Sequence, residues 1–107
     1  MGKDKLIVEI GSRLVRNVDA RAPGWAHLVM VADFEPPDRD DVGMSGFAYF
    51  ARKEPRPIAP HDFAILDLVV DLRRAIARAD KRAPWVSCLI RIARRTGEVN
   101  FDFDIIA

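Results

Sequence analysis

Apolar and polar positions alternate most regularly near the end of the chain, from Trp85 to Ile106. In a first arm Val86, Cys88, Ile90 and Ile92 fall on one side and Ser87, Arg91 and Ala93 on the other. In a second arm Val99, Phe101, Phe103 and Ile105 alternate with Asn100, Asp102 and Asp104. A period of two marks strands with one buried face. Between the arms lies Arg95-Thr96-Gly97-Glu98, where Gly97 can supply the positive φ of a tight turn, so the stretch predicts a β-hairpin. With Thr96-Gly97 as a two-residue loop, Ile92 faces Phe101, Ile90 faces Phe103, Cys88 faces Ile105, Arg91 meets Asp102 and Arg95 meets Glu98. A slip of one residue would set Ile92 against Asp102, so the apolar pattern resists it.

The period changes to that of a helix from Asp4 to about Val18, where Leu6, Ile7, Ile10, Leu14 and Val18 share one side. Gly11 costs this helix about 1 kcal/mol relative to alanine, and Pro23-Gly24 ends it. Ala26 to Phe34 reads as a strand apolar on both faces, which belongs at the centre of a sheet or under cover on both sides. A polar loop, Glu35 to Asp41, leads to a second strand from Met44 to Ala51, in which Gly46 predicts a bulge or a close backbone approach. The segment holding Pro55, Pro57 and Pro60 is expected to lack regular structure. A long helix then starts at an N-cap of Asp62 or His61. It repeats Ile65, Val69, Leu72 and Ile76 on one face, and places its basic residues (Arg73, Arg74, Arg78, Lys81, Arg82) toward its end, where they complement the helix dipole. Pro23 before Trp25 and Pro84 before Trp85 form a faint internal echo. The expected fold is α+β, in the order α-β-β-α-β-β, with a four-stranded, mainly antiparallel sheet packed against the helices.

A length of 107 residues is expected to make a single domain, residues 1–107, with a core that requires no metal or disulfide staple. The formal charge of +1 argues against direct nucleic-acid binding. Cys88 is the only cysteine and cannot form an internal bridge, which fits a reducing compartment. No signal-peptide pattern and no apolar run of membrane-spanning length occurs, so a cytoplasmic protein without a membrane partner is the expectation.

No residue pattern announces a reaction. His27 and His61 stand far apart without partners at ligand spacing, and Cys88 has no CxxC partner and behaves as a small hydrophobe. G-x-S-x-G, H-E-x-x-H and the phosphate-binding loop are absent, so neither catalytic residues, metal ligands nor a cofactor are assigned and the protein is expected not to be an enzyme. Its acids are more suggestive. Asp33, Glu35, Asp38, Asp40 and Asp41 cluster within nine positions, and Asp102 and Asp104 share one face of the last strand. A cation-binding loop would need the D-x-D-x-D-G spacing, which Pro36-Pro37 interrupts. Two readings are left: an acidic surface that docks a basic partner, and a solvated loop with Arg91–Asp102 pairing across strands. The residues alone favour the second. The basic residues at the end of the long helix, with Arg91, Arg94 and Arg95, could contact phosphates but have neither an aromatic platform nor a glycine-rich loop beside them.

The whole pattern resembles the YezG-like family of bacterial immunity proteins (antitoxins). The likeness rests on the tryptophan-led strand in Pro23-Gly24-Trp25-Ala26-His27-Leu28-Val29-Met30, on the aromatic second strand and long helix, and on the closing Thr96-Gly97-Glu98-Val99-Asn100-Phe101-Asp102-Phe103-Asp104. It spans nearly the whole chain, with Pro36-Pro37 and the segment Pro55 to Pro60 as departures. It implies a protein that neutralises a cognate toxin, often a nuclease, by direct binding, and it supplies no catalytic residues. Under that reading the partner-binding candidates are Asp33, Glu35, Asp38, Asp40, Asp41, Asp102 and Asp104. Two alternatives are a protein that self-associates, as a homodimer, through an early strand, and a small-molecule-binding domain with a deep pocket lined by Tyr49, a tryptophan and a histidine.

Overall fold

The computed structural model describes residues 2–34, 41–60, 62–80 and 85–105. Apolar residues three and four apart build α1 (Lys3–Arg21), which turns Leu6, Ile10, Leu14 and Val18 inward. Gly11 lies on the same buried stripe, and a Cβ there would stand 3.3 Å from a methyl of Val99. Its missing side chain lets the last strand approach the helix. The helix closes where the Ala22 N–H bonds the Val18 carbonyl (2.7 Å) and Gly24 takes a φ of 88°.

After α1 come β1 (His27–Phe34), β2 (Val42–Tyr49), β3 (Arg56–Ile58), α2 (Phe63–Asp80), β4 (Trp85–Ala93) and β5 (Val99–Ile105). The strands form one antiparallel sheet in the order β3-β2-β1-β4-β5. The class is α+β as expected, but the described residues form five strands where four were predicted, in the order α-β-β-β-α-β-β. The correction falls in the proline-rich segment, where Pro57 pairs with Phe47. Proline has no N–H to give to a ladder and is accepted at a sheet edge, which is where β3 lies. The extra strand also breaks the internal echo, whose Pro84 lies outside the described residues.

β1 is the middle strand. Leu28, Met30, Ala32 and Phe34 point to one face and are buried, while Val29 and Val31 on the other face are half-buried. The two helices pack beside each other and cover the first face. The buried rows of β2 and β4 (Met44 and Ala48; Cys88, Ile90 and Ile92) complete that core. Gly46 fulfils its expected role by close approach. A Cβ at Gly46 would fall onto the Val29 carbonyl and 2.7 Å from the Met30 Cα, so β2 lies against β1 only because that atom is missing.

The closing hairpin forms with Cys88, Ile90, Ile92, Val99, Phe101 and Phe103 inward as expected, but two residues out of the predicted register. Ile92 faces Val99, Ile90 faces Phe101 and Cys88 faces Phe103. The Ala93 N–H bonds the Glu98 carbonyl and the Gly97 N–H bonds the Ala93 carbonyl (both 2.9 Å), which closes a four-residue turn, Arg94 to Gly97, with Gly97 at a φ of 72°. A slip of two preserves every inward residue, so the apolar pattern could not decide between the registers; the turn did. Arg91 now pairs with Asn100 and reaches Asp102 diagonally, at 2.7 Å. A bulge between Trp85 and Ser87 makes a second correction: Trp85, not Val86, takes the buried position. Its ring meets Phe34 edge-on at 5.1 Å and Phe103 at 5.2 Å.

At the start of α2, Asp62 caps the helix, its carboxylate accepting the Ala64 N–H at 3.0 Å; His61 lies outside the described residues. Ile65, Val69 and Leu72 are buried as expected, but Arg73 is buried with them. Its guanidinium lies 4.1 Å from the Phe34 ring centroid, and its Nε donates to the Trp85 carbonyl at 2.9 Å. Arg73 thus serves as a core residue that ties α2 to the ends of β1 and β4. Asp19 does the same for α1. It accepts from Trp25 Nε1 (2.8 Å) and from Arg94 through both oxygens (3.0 and 3.2 Å), joining α1 to the start of β1 and to the hairpin turn. Partial burial pushes the Asp19 carboxyl up, but the Arg94 and Trp25 hydrogen bonds and the charge of Arg94 together hold it below its ordinary value.

Gly46→Ala is expected to cost about 4 kcal/mol or more, because backbone must move. Gly11→Ala is expected to stay within about 1 kcal/mol of the parent, since its helix-propensity gain offsets a small shift of Val99; urea denaturation of the two variants checks both. A carboxyl lowered in the folded state contributes stability that is present above its unfolded pKa and lost as pH falls. The parent should therefore lose stability as pH drops below the ordinary value of 3.8, and Asp19→Asn should be weaker at neutral pH and lose less on acidification, as measured by thermal melts across pH.

Candidate functional site

With both helices on one side, the other face of the sheet is open among the described residues, and strand register decides what it presents. Odd-numbered residues of β1 point to it, and four rows can be followed across the strands. Tyr49, His27 and Ala93 make the first, and Pro57, Phe47, Val29, Arg91 and Asn100 the second. Ser45, Val31, Leu89 and Asp102 make the third; in the fourth, Gly43, Asp33 and Ser87 lie in line with the backbone position of Asp104.

The face is thus graded. Its middle is apolar: Val29, Val31 and Leu89 are half-buried by their neighbours alone, and Phe47 keeps 45% of its surface exposed. Antiparallel sheets with a wet face ordinarily alternate apolar and polar residues, and here the wet side of the central strand carries two valines. An open groove of about 540 Å³ lies beside them, lined also by Pro57, Ala59 and Arg21. Arg21 donates to the Ala59 carbonyl, and Arg56 returns a bond to the Arg21 carbonyl at 2.9 Å, which pins the β3 edge to the end of α1.

One end of the face is acidic. Asp33 is exposed on β1, and Asp102 is exposed on β5 one row nearer the middle. Position 104 lies two strands from Asp33, roughly 10 Å at ordinary strand spacing. Asp41 is exposed just before β2, whose first residue Val42 pairs with Phe34, so it stands at the same end. The fold therefore gathers Asp33, Asp41, Asp102 and the backbone position of Asp104, which are far apart in sequence. Glu35, Asp38 and Asp40 lie outside the described residues. Asp102 is bound to Arg91, but both side chains are more than half exposed (60% and 54%). Water screens such a pair strongly, and the carboxylate remains open to a further cation.

Lys81 and Arg82 lie outside the described residues, and four of the described arginines are spread over separate contacts. Arg73 is in the core, Arg94 is held by Asp19 and Arg91 by Asp102, while Arg13 links Glu9 of its own helix (2.8 Å) to the Asp62 cap of α2 (3.5 Å). The hydrogen bond from Arg13 to Glu9 is the largest influence on its guanidinium, and with both acids nearby the net effect lifts its pKa above the ordinary value. His27 lines an open groove of about 410 Å³ with Val29, Arg91, Glu98 and Asn100, and neither tryptophan nor Tyr49 is part of it. Among the described residues no three histidine, cysteine, aspartate or glutamate side chains are grouped to hold a metal ion, and no described helix is long and apolar enough to cross a membrane.

Sequence reasoning missed the outward apolar residues Leu89 and Phe47 as parts of one surface. Leu89 occupies a polar-phase position of the first hairpin arm, which is a readable signal; its junction with Val31 and Phe47 needed the strand order. Set against protein-family models and against curated proteins, the chain matches none.

Proposed function

We propose that this is a non-enzymatic binding protein, an immunity protein that neutralises a cognate cationic toxin of nuclease type by direct contact, in the cytoplasm and without a cofactor. The observation that supports the reading most is the graded open face, with Asp33, Asp41 and Asp102 at one end of an apolar centre formed by Val29, Val31, Phe47 and Leu89. Each part has a job in recognition. Carboxylates attract and orient a basic partner during encounter. The apolar centre, once covered, supplies the lasting affinity, as the dry middle of an interface does within its polar rim. A cationic nuclease surface covered in this way could no longer reach nucleic acid. The family resemblance carried by Trp25 and the closing hairpin points to the same role.

The test is co-expression with the product of the neighbouring gene. Growth arrest by that product, relieved by this chain, is the expected result; failure to bind or to restore growth contradicts the proposal. The doubly reversed variant Asp33→Lys/Asp41→Lys should associate about ten-fold more slowly at low salt, with the difference shrinking as salt rises. An unchanged rate would take the acidic end out of the interface.

A second reading, self-association through the same face, is favoured by the exposure of Phe47 and Tyr49 (45% and 39%). It predicts a dimer in sedimentation at low concentration that Phe47→Lys converts to a monomer, and a parent that is already monomeric contradicts it.

A further inference from the structure

The two edges of the sheet are unlike. β3 offers three residues, one of them Pro57. β5 offers seven, Val99–Ile105, with no proline or glycine, and among the described residues only β4 pairs with it. Because the Ala93 N–H bonds the Glu98 carbonyl, those two residues form a hydrogen-bonded pair. Alternation from that pair turns the N–H and C=O groups of Asn100 and Asp102 toward β4, and those of Val99, Phe101 and Phe103 away from the sheet.

The side chains repeat the asymmetry. Val99, Phe101 and Phe103 lie on the helix-covered side but are only half-buried, whereas their β4 partners Ile92, Ile90 and Cys88 are 2% exposed or less. On the open side the same strand presents Asn100 and Asp102, both exposed. An edge is ordinarily blunted by proline, shortness, charge or a bulge; β3 is short and carries Pro57, whereas β5, whose ladder is irregular only beyond Phe103, runs unbroken from Val99 to Phe103. Outward-directed backbone groups, a half-covered apolar row and the exposed Asp102 on the open side together define a complement: an extended strand with one apolar row and a cation opposite Asp102.

We infer that β5 is completed by strand addition, a basic and alternately apolar segment of the partner protein pairing along Val99 to Phe103. The inference rests on the immunity reading for the identity of the partner and adds the geometry of contact. Main-chain bonds to Val99, Phe101 and Phe103 set the register, apolar residues of the added strand finish burying the two phenylalanines, and its cations meet Asp102. A second copy of this chain fits less well. β5 laid antiparallel on β5 sets Asp102 against its own copy when centred on Asp102 and against the neutral Asn100 when centred on Phe101, so in neither arrangement does it meet a cation from the added strand.

The experiment uses the full chain and two synthetic peptides of about six residues that alternate lysine and valine, one of them N-methylated at alternate residues so that it keeps its charge and loses the donors of one edge. Hydrogen exchange followed by NMR is expected to show that the unmodified peptide slows the amides of Val99, Phe101 and Phe103. The methylated peptide should give no such protection, and Asp102→Lys, a change at an exposed side chain, should weaken binding about ten-fold. Equal binding by the methylated peptide would reduce the interaction to charge and overturn strand addition. So would protection confined to other segments, no binding of the unmodified peptide, or protection of the three amides in a self-associated protein before peptide is added. No toxin enters this measurement. A negative result therefore removes strand addition while growth rescue still stands, and loss of rescue with these amides protected does the reverse.

Discussion

Two helices can cover one face of a five-stranded sheet, and the molecule is organised by which face they take. The buried row of β1, Leu28 through Phe34, meets α1 and α2, and every other inward residue joins a core that this row began. The opposite row of the same strand, Val29 and Val31, is only half-buried and lines a groove with Phe47, Pro57 and Arg21. One-sided burial is thus both the source of stability and the origin of the exposed apolar surface. Burying apolar area drives the folding of such a domain, and the area left over on β1, β2 and β4 is available for association.

The helices are held to that face by a few polar attachments as well as by packing. Asp19 binds Trp25 and Arg94 where α1, β1 and the hairpin turn converge, and Arg73 lies on Phe34 and bonds the Trp85 carbonyl where α2 meets the ends of β1 and β4. Arg13 bridges α1 to the cap of α2. The exposed bridges contribute little each in water, but Arg73 is buried, and removing it would leave the Trp85 carbonyl without this donor beside a cavity over Phe34. Arg73 and Arg94, which a sequence displays as parts of a basic helix end and a basic turn, are fasteners in the fold.

What could be read from the residues, and what could not, follows from the range of the forces involved. Alternation over Val99 to Phe103 and helical spacing over Ile65 to Leu72 are local, and they predicted the elements and their inward residues. The α+β class followed from their order. Register escaped because a two-residue slip keeps Phe101 and Phe103 inward, and the decision lay with the four-residue turn ending at Gly97. β3 escaped because Pro57 argues against a strand everywhere except at an edge, and no residue states in advance which strand will be the edge. Arg73 had a readable sign, since it falls four residues after Val69 on the apolar stripe of α2. The acids were visible as two groups, around Asp33 to Asp41 and at Asp102 and Asp104; that Asp33, Asp41 and Asp102 stand at one end of the sheet is a product of the β2–β1–β4–β5 order.

Function, in this account, resides in a surface. Under the proposed function the carboxylates at one end would guide a partner, the apolar rows would hold it, and the β5 edge would set its orientation. The most direct measurement is a cross-saturation NMR map of the complex with the neighbouring gene's product. The account predicts signal loss at Val29, Val31, Leu89 and along β5, with the helices spared. Loss centred instead on the exposed helix residues Val8 and Phe63 would contradict it.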